Sequence, residues 1–272
     1  MDTSLPKETR CKTKSKRRFK NKQSLLFEAC NDFKILQELD CMYEETDNEC
    51  ESEITIGEIK PRNENQKIYL EYLKDKSNEI VIGKGPSGCG KTYCALLYAL
   101  REIFEYKTYK KLLITRPIVT VANESLGYLK GGINDKMDPY LQPLYDIFDK
   151  YIKKEDLKYY VNEKIIEIGC IGFLRGRSLS DAIILVDESQ NTTVEQMKTI
   201  LTRIGSNCKI IFTGDLQQSD LLNKNNGLLD FINRFKNHDP SKTKFIKLIE
   251  FTNEDIVRNP IIKTILDMYN EN

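Results

Sequence analysis

The chain has 272 residues, 40% of them hydrophobic, and a formal net charge of +1. That length can hold one large α/β domain with appendages, and the near-zero charge gives no bulk attraction to nucleic acid or to a membrane. No apolar run approaches the roughly 20 residues that span a bilayer, so no membrane partner is expected.

At the N-terminus, residues 1–22 carry nine Lys/Arg against two Asp/Glu, whereas "EETDNECESE" at 44–53 carries six acids and no base. Such blocks read as a solvated leader, or, for the basic one, as an arm that touches phosphate backbones. No apolar stretch follows the basic residues, so no secretory signal is expected. Between the blocks, Leu26, Cys30, Phe33 and Leu36 recur at helical spacing and predict a short amphipathic helix. The boundary of the main domain falls near residue 55. This gives a charged, partly disordered extension over 1–55 and a domain over 56–272, and the extension is too short and polar for an added nuclease domain. The eight cysteines are scattered without C-x-x-C spacing, and His238 is the only histidine. A zinc site is therefore not expected, the thiols read as reduced, and the default address is the cytoplasm.

From Glu79 the chain reads "EIVIGKGPSGCGKTYCALLYALREIF". Ile80, Val81 and Ile82 predict a strand. Gly85, Pro86, Ser87, Gly88, Cys89, Gly90, Lys91 and Thr92 fit G-x-x-x-x-G-K-[ST], and an apolar helical stretch follows, which is the strand–loop–helix context of a P-loop. Glycines let the backbone curl so that successive N–H groups face one anion, and the new helix adds its positive end. Lys91 is placed to reach the β- and γ-phosphates, and the Thr92 hydroxyl to ligate Mg²⁺. Cys89 reads as a space-filling residue rather than a reactive thiol.

The run "AIILVDESQNT" at 182–192 predicts a buried parallel strand that ends on two adjacent carboxylates. Beside a P-loop these acquire work. Asp187 would lie next to the metal, and Glu188 would orient or deprotonate an attacking water. A second strand, Ile210 to Phe212, ends in Thr213-Gly214-Asp215 with Gln217 and Gln218 beyond, on the face where open α/β sheets bind ligands. A glutamine there could sense the γ-phosphate.

With these segments, "NQKIYLEYL", "LLITRPIV", "IGFLRGRSLSDAIILVDESQNTTVEQMKTILTRIG" and "FTNEDIVRNPII", the chain from about Asn65 to Tyr269 resembles the PhoH family, P-loop ATPases whose core is similar to superfamily I helicases. The resemblance implies that Gln66 contacts adenine, that Lys91 and Thr92 serve phosphate and magnesium, and that Asp187 and Glu188 serve metal and water. It implies that Gln218 senses the γ-phosphate and that Arg258 acts as an arginine finger in cis or in trans. Arg116, Arg175, Arg177 and Arg203 sit in matching stretches, with nucleic-acid contact and structural ion pairing both open for each. Two departures stand out: "LLNKNNGL" replaces a longer family stretch after the Gly-Asp pair, and Asn259 stands where histidine is frequent.

These readings converge on a doubly wound, mostly parallel α/β sheet with a RecA-like P-loop core. Strands are expected near 79–84, 112–116, 165–170, 182–187, 209–213 and 244–250. The expected activity is ATP hydrolysis with Mg²⁺, coupled to RNA or another single-stranded nucleic acid. One P-loop core alone lacks the second wall that helicases close over ATP, so a homo-oligomer, plausibly a ring, is expected. The competing readings are a nucleotide-gated scaffold with little turnover and a small-molecule kinase. A GTP switch is disfavoured because "NKNN" at 223–226 lacks the aspartate that reads guanine.

Overall fold

The structure is a computed structural model that describes residues 54–117, 133–221, 226–257 and 268. Apart from the first turn of one helix, these fall in one compact unit, Glu49–Leu129 with Met137–Asn272. The amphipathic segment around Leu26–Leu36 lies outside the described residues.

In chain order the regular elements are α1 (Glu64–Lys74), β1 (Ile80–Lys84), α2 (Lys91–Leu100), β2 (Lys111–Thr115), α3 (Ile133–Phe148), α4 (Lys154–Asn162), β3 (Ile166–Gly169), β4 (Ala182–Val186), α5 (Val194–Leu201), β5 (Cys208–Gly214), α6 (Gly227–Lys236) and β6 (Ile246–Glu250). The six strands form one sheet in the order β3-β2-β4-β5-β1-β6, and every pairing is parallel.

The strands are apolar on both sides, as a sheet covered by helices on both faces demands. Val81, Leu112, Ile114, Ile183, Leu185 and Ile211 pack with α1, α2, α3 and α4 on one face. Their neighbours Ile80, Ile82, Leu113, Ile184, Val186, Ile210 and Phe212 pack with α5 and α6 on the other. The α/β doubly wound class expected from the sequence is therefore the observed one. Strand ends agree to within two residues.

Helix starts are fixed by side chains. Asn63 caps α1 by accepting from Gln66 N, Thr193 and Gln196 form a capping box at α5, and Asn226 caps α6 by accepting from Leu229 N. α2 has no such side-chain cap: it begins directly after Gly90, in left-handed conformation.

The strand order sets the site. β5 lies between β1 and β4, so the acidic end of β4 reaches the loop after β1 only across the end of β5. Register carries Thr115, Val186 and Phe212 across β2, β4 and β5. One step further, Arg116, Asp187 and Thr213 therefore sit in a row at the carboxyl edge of the sheet.

Candidate nucleotide site

The loop between β1 and α2 is pinned on several sides. Gly85 N donates to Gly214 O at 3.1 Å, Phe251 N to Lys84 O at 2.7 Å and Val257 N to Gly88 O at 3.1 Å. Two glycines are demanded by space and conformation. A Cβ on Gly85 would stand 2.5 Å from Phe251 O, and Gly90, at φ +79, would bring its Cβ to 2.9 Å from Gln66 Nε2. Lys91, 7% exposed, folds its ammonium over the loop and donates to Gly85 O at 2.7 Å and to Pro86 O at 2.6 Å. Burial pushes its pKa down, against the pull of Cys89 and of the carboxylates of Asp215, Glu188 and Asp187.

Asp187 of the acid pair meets this loop directly. Thr92 Oγ1 donates to Asp187 Oδ1 at 2.7 Å, and Thr213 Oγ1 donates to the same oxygen at 2.7 Å. Asp187 N is held by Thr115 O at 3.0 Å, and its side chain is buried. Glu188 takes the left-handed conformation, φ +51, which is uncommon without glycine. Its Oε1 lies 3.3 Å from Arg116 Nη2, and its Oε2 accepts from Gln190 Nε2 at 2.6 Å. Gln190, 1% exposed, uses its other amide atom to accept from Asp215 N at 3.0 Å.

Lys91, Thr92, Asp187 and Glu188 are thus brought together with the whole Gly85–Thr92 loop. Gln66 is adjacent: its Nε2 donates to Cys89 O at 2.9 Å and its Oε1 accepts from Arg62 N at 2.9 Å, so its amide is used by backbone. Cys89 is fully buried, with Sγ 3.6 Å from Thr252 O. Gln218 lies in the short turn after Asp215 and is exposed. Arg258 lies outside the described residues.

The four candidate arginines divide. Arg116 faces the acid pair, 3.9 Å from Asp187 Oδ2 as well as beside Glu188. Arg177 makes a bidentate pair with Glu167 at 2.7 and 2.9 Å, the structural role weighed for it above. Arg175 and Arg203 line a cleft of about 300 Å³ along α5 with Gly176, Glu195, Lys198, Thr199 and Thr202. Arg203 donates there only to neutral acceptors, Thr199 O, Arg177 O and Thr202 Oγ1.

The donor set suits magnesium with a nucleotide. Thr92 Oγ1 and Asp187 Oδ1 are hard oxygen donors of the kind magnesium takes, and are too few to hold a metal by protein alone. Mg²⁺ in such sites completes its shell with phosphate oxygens and water. Among the described residues no group of three or more His, Cys, Asp or Glu side chains converges on a metal. No helix among them is long and apolar enough to cross a membrane.

A curled glycine loop at the end of a central parallel strand, joined to an acid pair at the end of another, defines a P-loop NTPase core. The PhoH family model, "PhoH-like protein", matches residues 58–270, and the chain belongs to that family. It is 39% identical over 212 residues to a PhoH-like protein of Mycobacterium tuberculosis, covering 78% of this chain and 58% of that protein. It is 37% identical over 237 residues to a PhoH-like protein of Bacillus subtilis, covering 87% and 70%. Against protein PhoH of Escherichia coli the identity is 33% over 214 residues, covering 78% and 58%. The chain thus spans somewhat over half the length of several curated relatives. Among solved structures, the UvsW helicase of bacteriophage T4 aligns with 84% of this chain and 77% of its own at 14% identity, with a TM-score of 0.40.

Gln190 and Lys198 were missed in the sequence. The signal for Gln190 was its place two residues after Glu188. For Lys198 it was the spacing of Glu195, Lys198, Thr199 and Thr202 on one helix face.

Proposed function

We propose that the chain binds ATP with Mg²⁺ and hydrolyses it, and that single-stranded nucleic acid, RNA above all, is the coupled partner. The observation that carries the reading is the 2.7 Å hydrogen bond from Thr92 to Asp187, which joins the phosphate loop to the acid pair across an intervening strand.

In this reading, loop amides and the α2 N-terminus receive the phosphate chain, and Lys91 leaves its carbonyl partners for the outer phosphates. Thr92 and Asp187 would hold the magnesium ion, which neutralises phosphate charge when bound. Glu188 orients the attacking water and accepts its proton. Gln218 reads the γ-phosphate position. Gln66, whose amide already grips the loop at Cys89, lies beside the adenine. Arg258 follows Val257, whose amide donates to Gly88 O, and is proposed as the arginine finger.

The polymer reading draws on the α5 cleft. Arg175, Lys198 and Arg203 outnumber Glu195, and guanidinium groups suit phosphate. We further propose that a homo-oligomer, in the form of a ring, completes the nucleotide site, and that the domain over 56–272 works in the cytoplasm with 1–55 as an appended arm. Dilution should then lower specific activity.

The test is phosphate release with and without single-stranded RNA, paired with RNA binding across a salt series. Replacing the exposed Arg175 and Lys198 by glutamine should reduce the salt slope of binding by about 1.4, two phosphate contacts at about 0.7 each. No stimulation by any polymer, with an unchanged slope, would favour a nucleotide-gated scaffold.

A further inference from the structure

Glu188 is gripped on both carboxylate oxygens, and the two grips differ in kind. Gln190, on Oε2, is buried and anchored by Asp215 N at 3.0 Å. Arg116, on Oε1, has a side chain 21% exposed and lies just past the carboxyl end of β2. Its second nitrogen, 3.9 Å from Asp187 Oδ2, spreads the guanidinium across both acids. A carboxylate that must orient an attacking water needs a free lone pair facing that water. The Arg116 guanidinium, 3.3 Å from Oε1, occupies one lone pair there and holds the side chain toward β2.

We propose that Arg116 is a positioning residue that restrains Glu188 when no polymer is bound, and that a phosphodiester of single-stranded nucleic acid competes for its guanidinium and releases Glu188. The proposal rests on the ATPase reading above and supplies its regulation. The chemistry of exchange is favourable. The planar fork that grips a carboxylate grips a phosphate equally well. A partly exposed ion pair is also weak enough to be traded for another. Polymer binding and water activation would then be coupled through one side chain, with no movement of the sheet.

Two arms test this, one without turnover. In the first, Arg116→Gln should raise phosphate release without polymer by about two- to fivefold, the worth of one partly exposed ion pair. Its stimulation by RNA should shrink, and the affinity for a fluorescent ATP analogue should hold. Arg116→Lys, which keeps the charge, should retain part of the restraint. In the second arm, nucleotide is omitted and binding of a fluorescent single-stranded RNA is followed by anisotropy. Glu188→Gln should tighten binding by about two- to fivefold by freeing Arg116, and the gain should vanish in the Arg116→Gln, Glu188→Gln double variant.

A slower Arg116→Gln enzyme, or unchanged RNA affinity in Glu188→Gln, would overturn the restraint. If Glu188→Gln tightens ATP binding but not RNA binding, the displacing anion is the nucleotide's own and the proposal also fails. A wild-type protein that binds ATP but releases no phosphate would sink the ATPase reading instead, leaving the RNA-binding arm to decide the contact between Arg116 and Glu188.

Discussion

Thr92 and Thr213, on different elements 121 residues apart in the chain, both donate to Asp187 Oδ1 at 2.7 Å. One hydroxyl belongs to the phosphate loop and the other to the strand that separates it from β4, so Asp187 is the joint of the site.

The two hydroxyls should behave differently when removed. Thr92→Val should weaken nucleotide binding in the presence of Mg²⁺ by tenfold or more, and change it little in chelator, as titration with a fluorescent nucleotide would reveal. Thr213→Val should act first on stability, costing about 1–3 kcal/mol in denaturant unfolding, because a buried carboxylate loses a charge-assisted bond.

Backbone demand gives a second expectation. Gly90 has φ +79, and an added Cβ would meet the Gln66 amide at 2.9 Å. Gly90→Ala should lower stability by about 1–2 kcal/mol from the left-handed conformation alone. It should also loosen the bond from Gln66 to Cys89 O, visible as weaker nucleotide affinity.

Lys209 makes stability depend on pH. It lies buried in β5, donates to Leu73 O at 2.5 Å and Asp75 O at 2.9 Å at the end of α1, and sits 5.5 Å from the Tyr98 ring. Burial pulls its pKa from 10.5 down to about 8. Below pH 8 the ammonium is charged in both states and the fold carries the full cost of burying it. Between that value and 10.5 the unfolded chain holds more proton, so this group's contribution to stability rises with pH. From about pH 7 to pH 9.5 the rise should be about 2 kcal/mol. Urea unfolding should detect it in the wild type and not in Lys209→Met.

Thiol labelling checks the core around the site. Cys89, Cys94 and Cys208 are buried, and burial pushes the thiols of Cys94 and Cys208 up to about 11. Cys170 is half-buried. Iodoacetamide at mildly alkaline pH should modify Cys170 in the folded protein and reach the other three only after unfolding, as peptide mass spectrometry would read.

Much of this was legible beforehand because it is local. The P-loop spacing, the apolar run into Asp187 and the apolar run into Gly214 each lie within a dozen residues, and local pattern predicts strand and loop type. What tertiary pairing decides was not legible. Nothing in the sequence places β5 between β1 and β4, so the row Arg116, Asp187, Thr213 was out of reach. Gln190 is one polar residue in the run after the acid pair, and only the fold shows it bridging Glu188 and Asp215. Lys209 stands at the edge of an apolar run, and only the fold shows that the end of α1 covers it. Arg177 and Arg203 sat in equivalent-looking stretches, and the difference between an ion-paired arginine and a cleft-lining one depends on Glu167, distant in sequence from Arg203.

The most direct measurement pairs nucleotide binding with phosphate release in the wild type, Lys91→Ala and Glu188→Gln. The wild type should bind ATP and release phosphate, Lys91→Ala should lose tight binding, and Glu188→Gln should bind normally while turnover falls by about 10²–10⁴. Phosphate release by Glu188→Gln at the wild-type rate would contradict the assignment of the acid pair at the end of β4.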